Sequence, residues 1–232
     1  MKTIGVIAAM EEEISELRGR LGVISVKNIV GVDFCMGKLG AKSAVLARCG
    51  IGKVNAAICA QIMIDMYAVD CIVNIGVAGG LAEGLSVGSI VVGSSVAHHD
   101  FDTTAFGDAP GLIPRLNKRE FDSDPALVKI AYEAAEAVRP GGARTGMIVS
   151  GDQFVSGRTE KERINSTFGA LCVEMEGAAI GQACWLNKIP FVVVRIISDD
   201  ASEGAAVSFA EFIKGAAKSS ADIAEALIKN IK

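Results

Sequence analysis

A chain of 232 residues, half of them apolar and only 5% aromatic, is long enough to bury one large core and reads as one α/β domain over residues 1–232. Its 23 Lys and Arg against 27 Asp and Glu give a net charge of −4 with no basic tract, which argues against nucleic acid as a partner. Six scattered cysteines lack any C-x-x-C pair, Glu11, Glu12 and Glu13 follow the first apolar run at once, and no apolar stretch reaches the roughly 18 residues of a membrane span. The expectation is a cytoplasmic protein without signal peptide or membrane contact.

In chain order, continuous apolar and β-branched runs predict strands over Thr3 to Ala8, Val45 to Cys49, Cys71 to Ile75, Ser89 to Ala97, Ala143 to Val149 and Phe191 to Ile197. Such runs, rather than alternating ones, suit a sheet covered on both faces. Helical patterns lie between them: Glu11 to Leu21, Lys53 to Tyr67, Ala126 to Val138, Thr159 to Phe168, Gly177 to Asn187, and from Phe209 onward. Asp124-Pro125 is an N-cap followed by proline at the first helical position, and Thr159 with Glu162 and Ser208 with Glu211 have capping-box spacing. Glycines at 31, 37 and 40 punctuate the segment Asn28 to Cys49 as antiparallel strands, so the sheet is expected to be mixed. The Gly-, Pro- and Asp-rich segment Phe106 to Asp124 reads as a surface loop. The fold class that results is a three-layer α/β/α domain with a central mixed sheet flanked by helices.

Ligands of α/β sheets bind beyond the carboxyl ends of the strands, which directs attention to four places. Ala8-Ala-Met-Glu-Glu-Glu13 puts three acids in a first helical turn, where they also complement the helix dipole. Val73-Asn-Ile-Gly-Val-Ala-Gly-Gly80 is a strand running into glycines that would let backbone approach a ligand, without the spacing of a dinucleotide fingerprint. In Val173-Glu-Met-Glu-Gly177, a continuing strand would set Glu174 and Glu176 on one face and Met175 on the other; a solvated strand end is an equal alternative. Phe191 to Asp200 carries Arg195 inside an apolar strand, a position that demands an acidic partner such as Glu13 or Glu176. His98 and His99 are adjacent and would face opposite sides of a strand, so no metal site is expected, and Ser150 lies outside any G-x-S-x-G elbow.

Taken in order, Ala9-Met-Glu-Glu-Glu13, Gly50-Ile-Gly-Lys-Val54, Gly76-Val-Ala-Gly-Gly80, Thr104-Ala-Phe-Gly107, Ser150-Gly-Asp-Gln-Phe154, Val173-Glu-Met-Glu176, Val194-Arg-Ile-Ile-Ser-Asp199 and Ser208-Phe209 span nearly the whole chain. This series resembles the 5′-methylthioadenosine/S-adenosylhomocysteine nucleosidases of the purine nucleoside phosphorylase and uridine phosphorylase superfamily. The resemblance implies cofactor-free hydrolysis of the N-glycosidic bond to adenine and a 5-thioribose. It implies that Asp199 protonates adenine N7, that Glu13 with Arg195 nearby holds the water meeting C1′, that Glu176 accepts the ribose hydroxyls and that Met175 lies against the sugar, with Glu174 beside them. Phe154 would stack on the purine, the Val155 backbone would read its edge, and Met10, Ile51 and Phe209 would form the 5′-alkylthio slot. In the family a neighbouring subunit completes that slot, which implies a homodimer and gives Phe106 and Pro114 to the matching loop. The chain departs from many relatives at Val77, where they carry a Ser or Thr that orients the catalytic Asp; Ser198, or the backbone of Ala78 and Gly79, would stand in for it.

Three other readings fit parts of the pattern. A nucleoside phosphorylase on the same fold would need phosphate where this chain has Met10 and three glutamates. A hydrolase of futalosine-type nucleosides would take a different 5′ group, which the slot residues alone do not exclude, and a silent nucleoside-binding protein has no need of both Glu13 and Asp199.

Overall fold

The apolar runs fold around one another in a computed structural model that describes residues 2–202 and 204–231, the side chains of 214–217 excepted. β1 (Thr3–Ala8) leads into α1 (Glu11–Arg20), followed by a meander of β2 (Gly22–Ile29), β3 (Val32–Leu39) and β4 (Lys42–Arg48), then α2 (Lys53–Tyr67) and β5 (Cys71–Gly80). Next come β6 (Ile90–His98), β7 (Glu120–Asp122), α3 (Pro125–Val138), β8 (Ala143–Ser150), α4 (Arg158–Phe168), β9 (Cys172–Glu174), α5 (Gly177–Asn187), β10 (Phe191–Asp199) and α6 (Ala205–Asn230).

The strands form one mixed sheet in the order β10-β6-β8-β9-β5-β1-β4-β3-β2, with β7 beside β6. β10 pairs with β5 as well as β6, so β10, β6, β8, β9 and β5 close into a ring from which β1, β4, β3 and β2 extend as a wing. Side chains alternate across each strand. Val6, Val73 and Val194 meet Ile14 and Leu17 of α1, Leu127 and Ala131 of α3, and Leu227 and Ile228 of α6 on one face. Their neighbours Ile7, Ile72 and Val193 meet Ala56 and Met63 of α2 and Ala178 and Ile180 of α5 on the other. This is the expected layered mixed α/β architecture; the curling of half the sheet into a ring had no signature in the apolar pattern. Among the described residues no helix is long and apolar enough to cross a membrane.

Asp124 caps α3 as anticipated, its Oδ1 accepting from the N–H groups of Ala126 and Leu127 at 2.9 Å each. The two capping boxes are not formed. α4 starts at Arg158 after Gly157, which puts Thr159 inside the first turn, and Glu162 accepts instead from Arg158 Nε at 2.9 Å. α6 starts at Ala205 after Gly204, whose φ of 96° only glycine adopts easily, so Ser208 and Glu211 lie within the helix. The segment 106–124 is not wholly loop: Phe121 is fully buried, and burying it recruits Glu120–Asp122 as β7 against β6.

Candidate active site

The first acid is placed by a turn. β1 ends at Ala8 and α1 begins at Glu11, so Glu13 curls back to accept from the N–H groups of Ala9 and Met10 at 2.9 Å each through Oε2. Its Oε1 accepts from the N–H of Val77 at 3.0 Å. Burial raises the Glu13 carboxyl above its ordinary range, against the opposing pull of Arg195 and these three N–H donors. The carboxylate lies over Gly76, where a Cβ would come within 2.6 Å of Oε1. The glycine cluster thus admits a side chain of the same protein at this point.

The second acid is placed by the end of β10. Pairing with β5 slips between Ile197 and Asp199, an irregularity of the kind that re-aims a side chain at a sheet margin. Asp199 then takes a hydrogen bond from Ser198 Oγ at 2.7 Å on Oδ2 and from the N–H of Ala201 at 2.9 Å on Oδ1. Burial raises its pKa, opposed by these two donors. Ser198 Oγ also lies 3.3 Å from the carbonyl oxygen of Ala78, so the hydroxyl that Val77 lacks has a local counterpart.

Between the acids runs a buried charge system. Arg195 donates to Glu174 Oε2, to Asn74 Oδ1 at 2.6 Å and to the carbonyl of Val194 at 3.2 Å, with Glu176 Oε2 at 4.0 Å. The direct partner is therefore Glu174 rather than Glu13 or Glu176, because β9 pairs with β5 and delivers Glu174 to the same strand end. β9 stops at Glu174, and Glu176 precedes α5 with φ −133° and ψ −38°, so the strand does not continue through Met175. Glu174 accepts in addition from Ser150 Oγ and from the N–H groups of Glu176 at 3.0 Å and Gly177 at 2.8 Å. Burial acts to raise the Glu174 carboxyl, but Arg195 and these donors hold it below the usual range. Glu176 is left with Gly52 N–H at 2.8 Å; burial, then the charge of Glu174, push it up to about 8.

Glu13 and Asp199 line one cavity of about 340 Å³, together with Met10, Ile51, Val77, Ala78, Phe154, Val155, Glu174, Met175, Glu176, Ser198 and Phe209. Phe154 and Phe209 meet edge to face at 5.7 Å, forming an aromatic wall. Arg195 lies behind the cavity rather than on it, and neither Phe106 nor Pro114 reaches it within this chain; Phe106 is 88% exposed. No Lys, Arg or His is among the described residues of the lining. Reading the sequence missed Gln153 in the lining and the supporting roles of Asn74 and Ser150, whose signal was a polar residue within or closing an apolar strand. His98 bonds Gln182 at 2.9 Å through Nε2 and His99 packs on Gly151; among the described residues no group of three or more His, Cys, Asp or Glu side chains is arranged to hold a metal.

Glu13, Glu176 and Asp199 thus share one aromatic-walled cavity at the end of a mixed sheet. The sequence pattern of the Phosphorylase superfamily matches residues 3–229. The 5′-methylthioadenosine/S-adenosylhomocysteine nucleosidase of Staphylococcus epidermidis is 41% identical over 98% of this chain and 100% of its own length. The solved nucleosidase of Neisseria meningitidis, in complex with methylthio-immucillin-A, superposes with a TM-score of 0.95 at 42% identity, covering 100% of both chains. A Helicobacter pylori nucleosidase carrying an Asp-to-Asn mutation, with 5′-methylthioadenosine in its active site, gives a TM-score of 0.95 at 32% identity over 100% of both chains. The chain belongs to the phosphorylase superfamily and, within it, to the 5′-methylthioadenosine/S-adenosylhomocysteine nucleosidase family.

Proposed function

We propose that this protein hydrolyses the N-glycosidic bond of 5′-methylthioadenosine and S-adenosylhomocysteine, releasing adenine and the corresponding 5-thioribose. The observation that carries the reading is the presence of Glu13 and Asp199 on one cavity free of cationic lining among the described residues. Glu13 lies over Gly76 and Asp199 over Gly79, so both acids are held against the end of β5 on the same cavity.

Asp199 acts as the acid. Burial shifts the Asp199 carboxyl toward its protonated form, the form that donation to N7 of the leaving adenine requires, and the Ser198 and Ala201 donors fix its direction. Glu13 acts on the water: its three backbone donors fix the carboxylate, and burial makes it a stronger base than a solvated glutamate. Glu176 receives the ribose hydroxyls as an acceptor. Phe154 stacks on the base, while Ile51, Met10 and Phe209 receive the alkylthio group. The lining offers no Lys, Arg or His among its described residues to hold phosphate, which favours water over phosphate as the nucleophile.

The same reading includes a homodimer. Val54, Ile58 and Met66 on α2, Leu186 on α5 and Ile51 beside the cavity are all exposed apolar side chains, and Phe106 leaves an entire aromatic ring in solvent. A second copy seated on this face would bury them and bring its Phe106 and Pro114 toward the 5′ end of the slot. The six free, buried cysteines fit a reducing, cytoplasmic compartment. The test is adenine release from methylthioadenosine and adenosylhomocysteine with and without phosphate. Release independent of phosphate, yielding free thioribose, is the expected result; a requirement for phosphate and a pentose 1-phosphate product would overturn it.

A further inference from the structure

The cavity is built from two loops that are distant in sequence. One, ahead of α2, presents Ile51 to the lining and gives the Gly52 N–H to Glu176; the other, after β8, presents Gln153, Phe154 and Val155. Three residues outside the lining join them. The backbone N–H of Lys53 donates to Asp152 Oδ1 at 2.8 Å, the N–H of Asp152 donates to Asp100 Oδ2 at 2.9 Å, and Lys53 Nζ closes the circuit on Asp100 Oδ1 at 2.5 Å.

This is more than a surface ion pair. The Lys53 and Asp100 side chains are only 20% and 27% exposed. Asp152, from the base loop, satisfies one of the free N–H groups at the start of α2, where a carboxylate also meets the positive end of the helix dipole. Gly52 fits the junction for two reasons: its φ of 100° disfavours any side chain, and a Cβ there would stand 3.1 Å from Asp152 Oδ1. Burial acts to raise the Asp100 carboxyl, but Lys53 and the Asp152 amide hold it below the usual range.

We infer that Lys53, Asp100 and Asp152 form a polar clasp that sets the spacing between the loop serving the base and the loop serving the ribose and 5′ group, a positioning role that rests on the function proposed above. The three touch no part of the cavity and act through Ile51, Gly52 and Phe154. A ligand that spans both loops feels their spacing, whereas adenine alone engages the base loop.

The experiment compares wild type, Lys53→Met, Asp100→Asn and the double variant by KM and kcat for methylthioadenosine, by the dissociation constant for adenine from calorimetry, and by thermal midpoint. Loss of one partly buried charge-assisted hydrogen bond is expected to raise KM about tenfold. Values of kcat and adenine affinity stay within about twofold, and the double variant is little worse than either single one because all remove the same link. An unchanged KM, or thionucleoside and adenine binding weakened equally, would overturn the clasp while leaving the proposed reaction in place. A wild-type protein releasing no adenine from methylthioadenosine would instead overturn the reaction on which the clasp rests.

Discussion

Adding a single methyl group at Gly76 tests the placement of Glu13 without touching the acid itself. An ideal Cβ at this position lies 2.6 Å from Glu13 Oε1 and 3.2 Å from Arg195 Nη1. A comfortable carbon–oxygen contact begins near ~3.3 Å, so the carboxylate must retreat by roughly 0.7 Å. Its bonds from Ala9, Met10 and Val77 stand at 2.9, 2.9 and 3.0 Å, and a shift of that size carries at least one of them beyond hydrogen-bond range. Overpacking of a tight interior costs about 1–3 kcal/mol, which lowers the melting midpoint of a chain of this length by roughly 2–12 °C. Catalysis suffers more, since misplacing a reacting group by ~1 Å costs on the order of 100-fold. Gly76→Ala is therefore expected to remain folded by circular dichroism and to release adenine from methylthioadenosine about 100-fold more slowly. Combining it with Glu13→Gln should add little to the loss in the worse single variant. Turnover within twofold of wild type would show that the position of Glu13 does not govern the rate, and the assignment of the water to this residue would fall.

Asp199→Asn keeps the volume and the bond from Ala201 but removes the proton for transfer, so adenine release should drop about 100- to 10,000-fold with an unchanged melting midpoint; wild-type turnover would remove Asp199 as the acid. Stability should depend on pH through Glu176. Its carboxyl is raised from about 4.5 to about 8 on folding, so its contribution is fully present below about 4.5 and is lost as pH climbs through about 8. Midpoints measured at pH 6 and pH 9 should differ less in Glu176→Gln than in wild type, and parallel behaviour of the two would refute the shift. Gly19, exposed in α1 with nothing within 4 Å of an added Cβ, should gain about 0.5–1 kcal/mol on replacement by Ala, read as a higher denaturant midpoint; a loss of stability would contradict the helix there.

The sequence made the parallel strands legible because burial on both faces forces long apolar runs: the expected run coincides with β1, while β5 runs five residues and β10 two residues past theirs. It revealed β2 poorly, since every residue but the last of that edge strand is exposed and its composition is set by solvent rather than by a core. The two capping boxes do not form because their spacing is a local signal, while the starts of α4 and α6 follow glycines at 157 and 204. At the site, a buried Arg195 announced an acidic partner, but which acid depended on β9 folding against β5, a long-range pairing that no local pattern encodes. The lining residues Glu13, Glu176 and Asp199 were legible as polar groups following apolar strands. Phe106 and Pro114, which this chain leaves in solvent, acquire a reason for their chemistry only if a second copy is present.

The closure of β10 onto β5 has a consequence for how such a cavity can diversify. Both acids are registered against the same backbone, Glu13 over residue 76 and Asp199 over residue 79, so β5 works as a ruler whose graduations are peptide units. Substitutions in the aromatic and aliphatic rim at Ile51, Phe154 or Phe209 can then reshape the cavity while the places of the two acids stay constant.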